Sequence, residues 1–214
     1  MKIAIIGATG FVGSAILTEL ASRRNHDITA IARNPKETSN ATWVAADIFN
    51  VDSLAGVLKG NDVIINAYNP GWTNPNIYDD FIAGSKAIQE AAKKSGVKRF
   101  ITIGGAGSLF VGPDLQAVDT PDFPKEIYPG ASAARDYLNI IKEEKDLDWA
   151  FFSPAFEMHA GTTTGRTGKY RLGLENPVFN DEQRSILSVE DLAVVIADET
   201  ETPKHHQVRF TAGY

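Results

Sequence analysis

The chain has no cysteine among its 214 residues. That excludes disulfides, thiolate metal ligands and cysteine nucleophiles, and it fits a reducing compartment. Long apolar runs are missing too: none approaches the roughly 20 residues that span a bilayer as a helix. The opening Met1-Lys2-Ile3-Ala4-Ile5-Ile6 is apolar but runs straight into glycines, so it reads as a buried strand rather than a secretion signal. No membrane partner is expected, and the expected location is cytoplasmic. Positive charge is also scarce. The net charge is −6, and the densest basic group, Lys93, Lys94, Lys98 and Arg99, reads as a solvated helix end. Nonspecific nucleic-acid binding rests on clustered Lys and Arg, so no nucleic-acid partner is expected.

What is present suits a packed domain. Hydrophobic residues make up 43%, which supports a globular core rather than a disordered tract. A chain of this length buries about 70% of its unfolded surface as one domain. Short apolar runs predict strands at 3–6, 28–32, 43–46, 62–66, 99–103, 149–153 and 208–211. Between them lie helical patterns. Val12, Ala15, Ile16 and Leu20 share one helical face, as do Ala83, Ala87, Ile88, Ala91 and Ala92. Further helices are predicted at 51–58, 131–145 and 189–198, the last opened by Ser188 as a cap for Asp191. Two glycine-rich, irregular segments, about 104–129 and 154–174, are expected on the substrate side. Strands alternating with helices, and apolar on both faces, predict an α/β fold with a doubly wound parallel sheet of Rossmann type. No linker or repeat interrupts it, so residues 1–214 are read as a single domain.

The strongest motif is Gly7-Ala8-Thr9-Gly10-Phe11-Val12-Gly13, placed between the first strand and the first helix. Gly7 allows the tight turn, Gly10 lets backbone approach a diphosphate, and Gly13 allows close helix–sheet packing. The helix start offers free N–H groups and a positive dipole end, so Gly7, Thr9, Gly10, Phe11, Val12 and Gly13 are assigned to a dinucleotide. Sites for NAD place a carboxylate about 20 residues further on, to hold the ribose 2′-OH. Here Arg33 occupies that place. A guanidinium pairs with a 2′-phosphate, so NADP(H) is favoured over NAD(H), against an exposed arginine that tolerates either. Asp47 and Ile48 follow the third strand; Asp47 either meets the adenine amino group or caps a turn. Asn66, Ala67 and Tyr68 end the fourth strand beside the expected cofactor path. Ligands of this fold sit at the carboxyl ends of the strands. Ile103 and Gly104, and Ser153, Pro154, Ala155 and Phe156, are therefore placed at the nicotinamide end, with ordinary loop structure as the alternative.

Several segments resemble a known family. The glycine motif, Asp47-Ile48 and Asn66-Ala67 look like the extended and atypical short-chain dehydrogenase/reductases. The residues at 103–109, 119–124, 149–155, 167–173 and 188–193 narrow this to the NADH-flavin reductase group, related to biliverdin reductase B and the NmrA-like proteins. The resemblance implies a single-domain NAD(P)H-binding protein with FMN, FAD or another small flat acceptor as its small-molecule partner. It leaves monomer and homodimer both open. The catalytic relatives use a Tyr-x-x-x-Lys pair on the helix after the fifth strand. Tyr137 is the candidate in that place, but Ile141 holds the lysine's position, and Lys142 is turned about 100° away around the helix. Tyr128 is followed four residues on by Ser132. The usual ketone or alcohol chemistry is therefore not expected, and hydride transfer to a flavin, which asks little of side chains, is. A noncatalytic, NADP-sensing role is the alternative. A sugar-nucleotide epimerase ranks below both, because the chain looks short for a C-terminal substrate domain.

Ser108 is the candidate hydrogen-bond donor to acceptor or nicotinamide, or else a loop cap. Tyr68, Trp72 and Phe110 are candidate stacking partners or simple packing. Arg166, Lys169 and Arg171 form a candidate cationic group for an anionic acceptor. No metal is expected: His205 and His206 sit in a polar loop without a matching carboxylate spacing.

Overall fold

A computed structural model describes residues 1–23, 26–36 and 40–214. The opening apolar run is β1 (Lys2–Ile6), followed by α1 (Phe11–Ser22), β2 (Asp27–Ala32) and β3 (Thr42–Ala45). Then come α2 (Val51–Leu58), β4 (Val63–Asn66), α3 (Ile77–Ser95) and β5 (Arg99–Ile103). The order in the sheet is β3-β2-β1-β4-β5, continued by β8 (Asp148–Ser153), β10 (Val208–Gly213) and β9 (Arg171–Gly173). Every neighbouring pair is parallel except β9 with β10. The chain steps outward from β1 to β3, then returns to β1's other side as β4. That reversal is the crevice where ligands of doubly wound sheets bind.

Register brings the strand ends level. Ile6 pairs with both Ile31 and Asn66, Asn66 with Thr102, and Ile103 with Phe152. The exits at Gly7, Ala67, Gly104 and Pro154 therefore share one edge. The pleat splits β1: Ile3 and Ile5 join the core under α1 and α5 (Val189–Glu201), while Ala4 and Ile6 join the core under α2, α3 and α4 (Tyr128–Ile141). Each fully buried Ile, Leu or Phe there contributes about 1.5–3 kcal/mol.

Local signals set the helix ends. Asn50 accepts from Ser53 N at the start of α2; Ser188, the expected cap, accepts from Asp191 N at the start of α5. Gly96 ends α3 at φ 81°, a left-handed conformation that favours glycine.

The 104–129 segment differs from the irregular loop expected. It folds into two 3₁₀ turns, Ala106–Ser108 and Ala117–Asp119, flanking a small hairpin of β6 (Phe110–Gly112) and β7 (Leu115–Gln116). α4 also starts three residues before the expected 131. Pro129 lies in its first turn, where the missing N–H costs nothing.

Candidate functional site

The turn after β1 is built on close backbone approach. Gly7 has φ +79°, and a Cβ there would lie 2.6 Å from Ala67 O. A Cβ on Gly13 would lie 2.2 Å from Gly7 O, so α1 can pack this near β1 only with glycine at both places. Gly7 N and Ala8 N both donate to Ile31 O, at 3.0 and 3.2 Å, which folds the turn toward β2. Gly10 N donates back to Gly7 O at 2.9 Å and then serves as the N-cap of α1.

That cap is unlike those of α2 and α5. Gly10 has no side chain to satisfy the helix, and no acidic residue lies in the first turn. The first-turn amides of Phe11, Val12 and Gly13 have no acceptor of their own in an α-helix. Gly10 and Phe11 are exposed, Thr9 and Val12 half-buried and Gly13 buried, so the tip of α1 lies at an open edge. A phosphate oxygen supplies what they lack. The glycine cradle and the uncapped helix start thus fit a dinucleotide.

Around them, Arg33 and Asn34 follow β2 directly, and both are exposed. Burial pushes the Tyr68 hydroxyl above its ordinary pKa and Asp80 adds to this, while the positive charge of Arg33 acts in the opposite direction. Arg33 therefore stands within electrostatic reach of the β4 exit. Tyr68 itself donates to Asp80 O at 3.1 Å and stacks on Phe81, so it faces α3. Asn66 is buried: its Nδ2 donates to Thr102 Oγ1, and its Oδ1 accepts from Tyr68 N. It shapes the ends of β4 and β5. Asp47 is exposed and accepts from Phe49 N at 3.0 Å, the turn-capping alternative, while Ile48 is buried beside it. Ile103 and Gly104 are half-buried at the open edge, and a Cβ on Gly104 would fall on the Phe151 ring. Ser153, Pro154 and Ala155 are buried, and Phe156 is exposed, with its ring edge-on to Phe179.

A family model described as NAD(P)H-binding matches residues 7–203. The chain belongs to that family. A Bacteroides thetaiotaomicron protein proposed to be an epimerase is 44% identical, with a TM-score of 0.89 over all of this chain and 96% of that one. A Burkholderia pseudomallei protein proposed to be exported is 40% identical, with a TM-score of 0.89 over the whole of both chains. A Streptococcus pneumoniae protein proposed to be an NADH-flavin reductase is 32% identical, with a TM-score of 0.86 over all of this chain and 99% of that one. The kinship with the NADH-flavin reductase group read from the sequence is thereby shown, as is the Rossmann fold.

Within this NAD(P)H-binding chain, two expected catalytic side chains are not presented to a substrate. Tyr137 is 1% exposed. It packs against Phe81 and Phe151, and its hydroxyl donates to Gln89 Oε1 at 3.2 Å. Burial, with a contribution from Glu144, drives its pKa far above the ordinary tyrosine range. Tyr137 fills the core between α3 and α4 because its face of α4 points inward. Ser108 is also fully buried. Its Oγ donates to Gly105 O at 2.9 Å and lies 3.0 Å from Ser153 Oγ, contacts of the kind a loop cap makes.

The expected cationic group is likewise dispersed. Arg166 pairs with Glu19 on α1 at 2.7 Å, Arg171 donates to Phe179 O and Tyr214 O, and Lys169 is exposed. His205 bonds Glu199 and His206 bonds Asp148, each on a different element. Trp72 is exposed, and Gly130 leaves room for its ring.

Several buried charges are not expected from the sequence: Arg99, expected at a solvated helix end, is buried and pairs with Glu199 at 2.5 Å, and Asp191 and Arg209 are buried as well. Asp191 is fully buried and accepts from Thr167 N, Thr167 Oγ1 and Gly168 N, with the Tyr214 hydroxyl 2.7 Å away. Arg209 is 1% exposed on β10. A charged residue inside an otherwise apolar strand run was the available signal for Arg209. For Asp191, helix capping by Ser188 accounted for its backbone but said nothing of its carboxylate.

Proposed function

We propose that this chain is an NADPH-dependent reductase that delivers hydride to a flavin or another small flat acceptor. The observation that carries the reading is the uncapped start of α1 above the Gly7–Gly13 turn. In this reading the amides of residues 11–13 hold the cofactor diphosphate. Arg33, exposed just past β2, pairs with the 2′-phosphate. The exits of β5 and β8, at Gly104 and Pro154, flank the nicotinamide. A bound nicotinamide cofactor supplies the hydride. The protein's part is to hold the two rings together and keep water out.

The choice of a flat acceptor rests on α4. Its one tyrosine in the core, Tyr137, is sealed from solvent, and Ile141 stands where the family's lysine would assist it. Reducing a ketone calls for a proton donor tuned near neutral pH. Transfer to a flavin ring makes no such demand on a side chain. Among the described residues no helix is long and apolar enough to cross a membrane, and a cytoplasmic location belongs to this same reading.

The test is a spectrophotometric one. Purified protein with FMN or FAD should oxidise NADPH, faster than NADH at equal concentration. Tight NADPH binding with no turnover on any flavin would sink the reductase reading and favour the sensor.

A further inference from the structure

Arg209 is the least expected residue in the sheet. Its neighbour Phe210 points into the core under α1 and α5, so the pleat sends Arg209 to the opposite face. There it meets two segments: 106–119, part of the expected substrate-side loop, and 174–180, which follows β9. Nη1 donates to Ser108 O at 2.5 Å and lies 3.3 Å from Ser108 Oγ. Nη2 donates to Glu175 O at 3.3 Å and pairs with the Glu175 carboxylate. The guanidinium also stands 5.5 Å from the centre of the Phe110 ring. The two segments are bonded to each other as well: Phe110 N donates to Glu175 O, and Asn176 Nδ2 donates to Phe110 O, both at 2.9 Å.

A buried cation needs a charged partner and hydrogen bonds from every side. Here the charged partner and the bonds to both Nη atoms come from loops, not from the sheet that carries it, while Nε has no partner among the described residues. One fork thus spans two pieces of chain that leave different strands. Ser108, one end of that span, is itself bonded to Ser153 at the exit of β8. The geometry points to Arg209 as a positioning residue for the reductase: it fixes the 106–119 segment, which in the reductase reading faces the acceptor, against the 174–180 segment. It touches neither cofactor nor acceptor. The kinetic consequence rests on the reductase reading above; the structural one does not.

The test uses the full chain with NADPH present. Arg209→Met keeps the length and apolar stem of the side chain; it breaks the pair, but the Glu175 side chain left behind is 44% exposed and water can reach its carboxylate. Amide hydrogen exchange in 106–119 and 174–180 should rise, while exchange in β1 and α1 stays as in the unaltered protein. The Michaelis constant for FMN should rise roughly tenfold or more, since small misplacements of a substrate wall are costly, with the dissociation constant for NADPH within about twofold. Arg209→Lys restores the charge without the two-armed fork and should recover only part of the effect. Glu175→Gln, at a half-exposed position, covers the case in which Arg209→Met fails to fold, and should loosen the same two segments. Unchanged exchange in both segments in a folded variant would overturn the assignment. So would increased exchange with an unchanged Michaelis constant for FMN. If the unaltered protein reduces no acceptor, the reductase reading fails by itself and the exchange data still decide the role of Arg209.

Discussion

Arg33 and Ser108 show how differently two candidate residues fare once neighbours are known. Arg33 stays exposed at the strand edge, free to meet a ligand. Arg33→Asp should weaken NADPH binding by about 2 kcal/mol or more, through loss of a charge-assisted pair and added repulsion. NADH binding should hardly change, and titration calorimetry with both cofactors checks this; equal losses would refute the placement of the 2′-phosphate. Ser108 is spent inside the protein. Ser108→Ala should leave turnover with FMN near the unaltered rate and lower stability by about 1 kcal/mol, the worth of a buried hydrogen bond. A large fall in turnover with an unchanged melting temperature would return Ser108 to the chemistry. The glycines were readable from spacing alone because their role is steric and local. Ser108 and Tyr137 were not, because whether a hydroxyl faces solvent depends on which side of an element packs inward.

At the scale of elements, the strands and helices were legible because parallel strands covered on both faces leave unbroken apolar runs. The segment after β8 was not. Its shape comes from Asp191, whose partners at 167–168 are distant in sequence. Burial pushes the Asp191 carboxyl upward, but hydrogen bonds from Thr167, Tyr214 and Gly168 outweigh this and hold it below its ordinary pKa. A depressed folded-state value means the carboxylate stabilises the protein above the unfolded pKa of about 3.9, and that this contribution is lost as pH falls through the lower folded value. Asp191→Asn should therefore cost about 1–3 kcal/mol near neutral pH and flatten the acid side of the stability curve. Chemical denaturation from pH 6 down to pH 2 measures both. A variant with the same acid slope as the unaltered protein would show that the fastening does not depend on charge.

For the molecule as a whole, an acidic chain carries a locally positive helix start. The net charge is −6, yet the opening helix presents uncapped amides with no acidic residue in its first turn. Any doubly charged oxyanion of the right size competes for those donors, whatever its biological relevance. Sodium sulfate or phosphate should raise the apparent dissociation constant for NADPH more than sodium chloride at matched ionic strength, which fluorescence titration can read. Identical effects of the three salts would mean screening alone governs. The choice of buffer then becomes part of the measurement: a preparation kept in phosphate understates how avidly that helix start takes its dinucleotide.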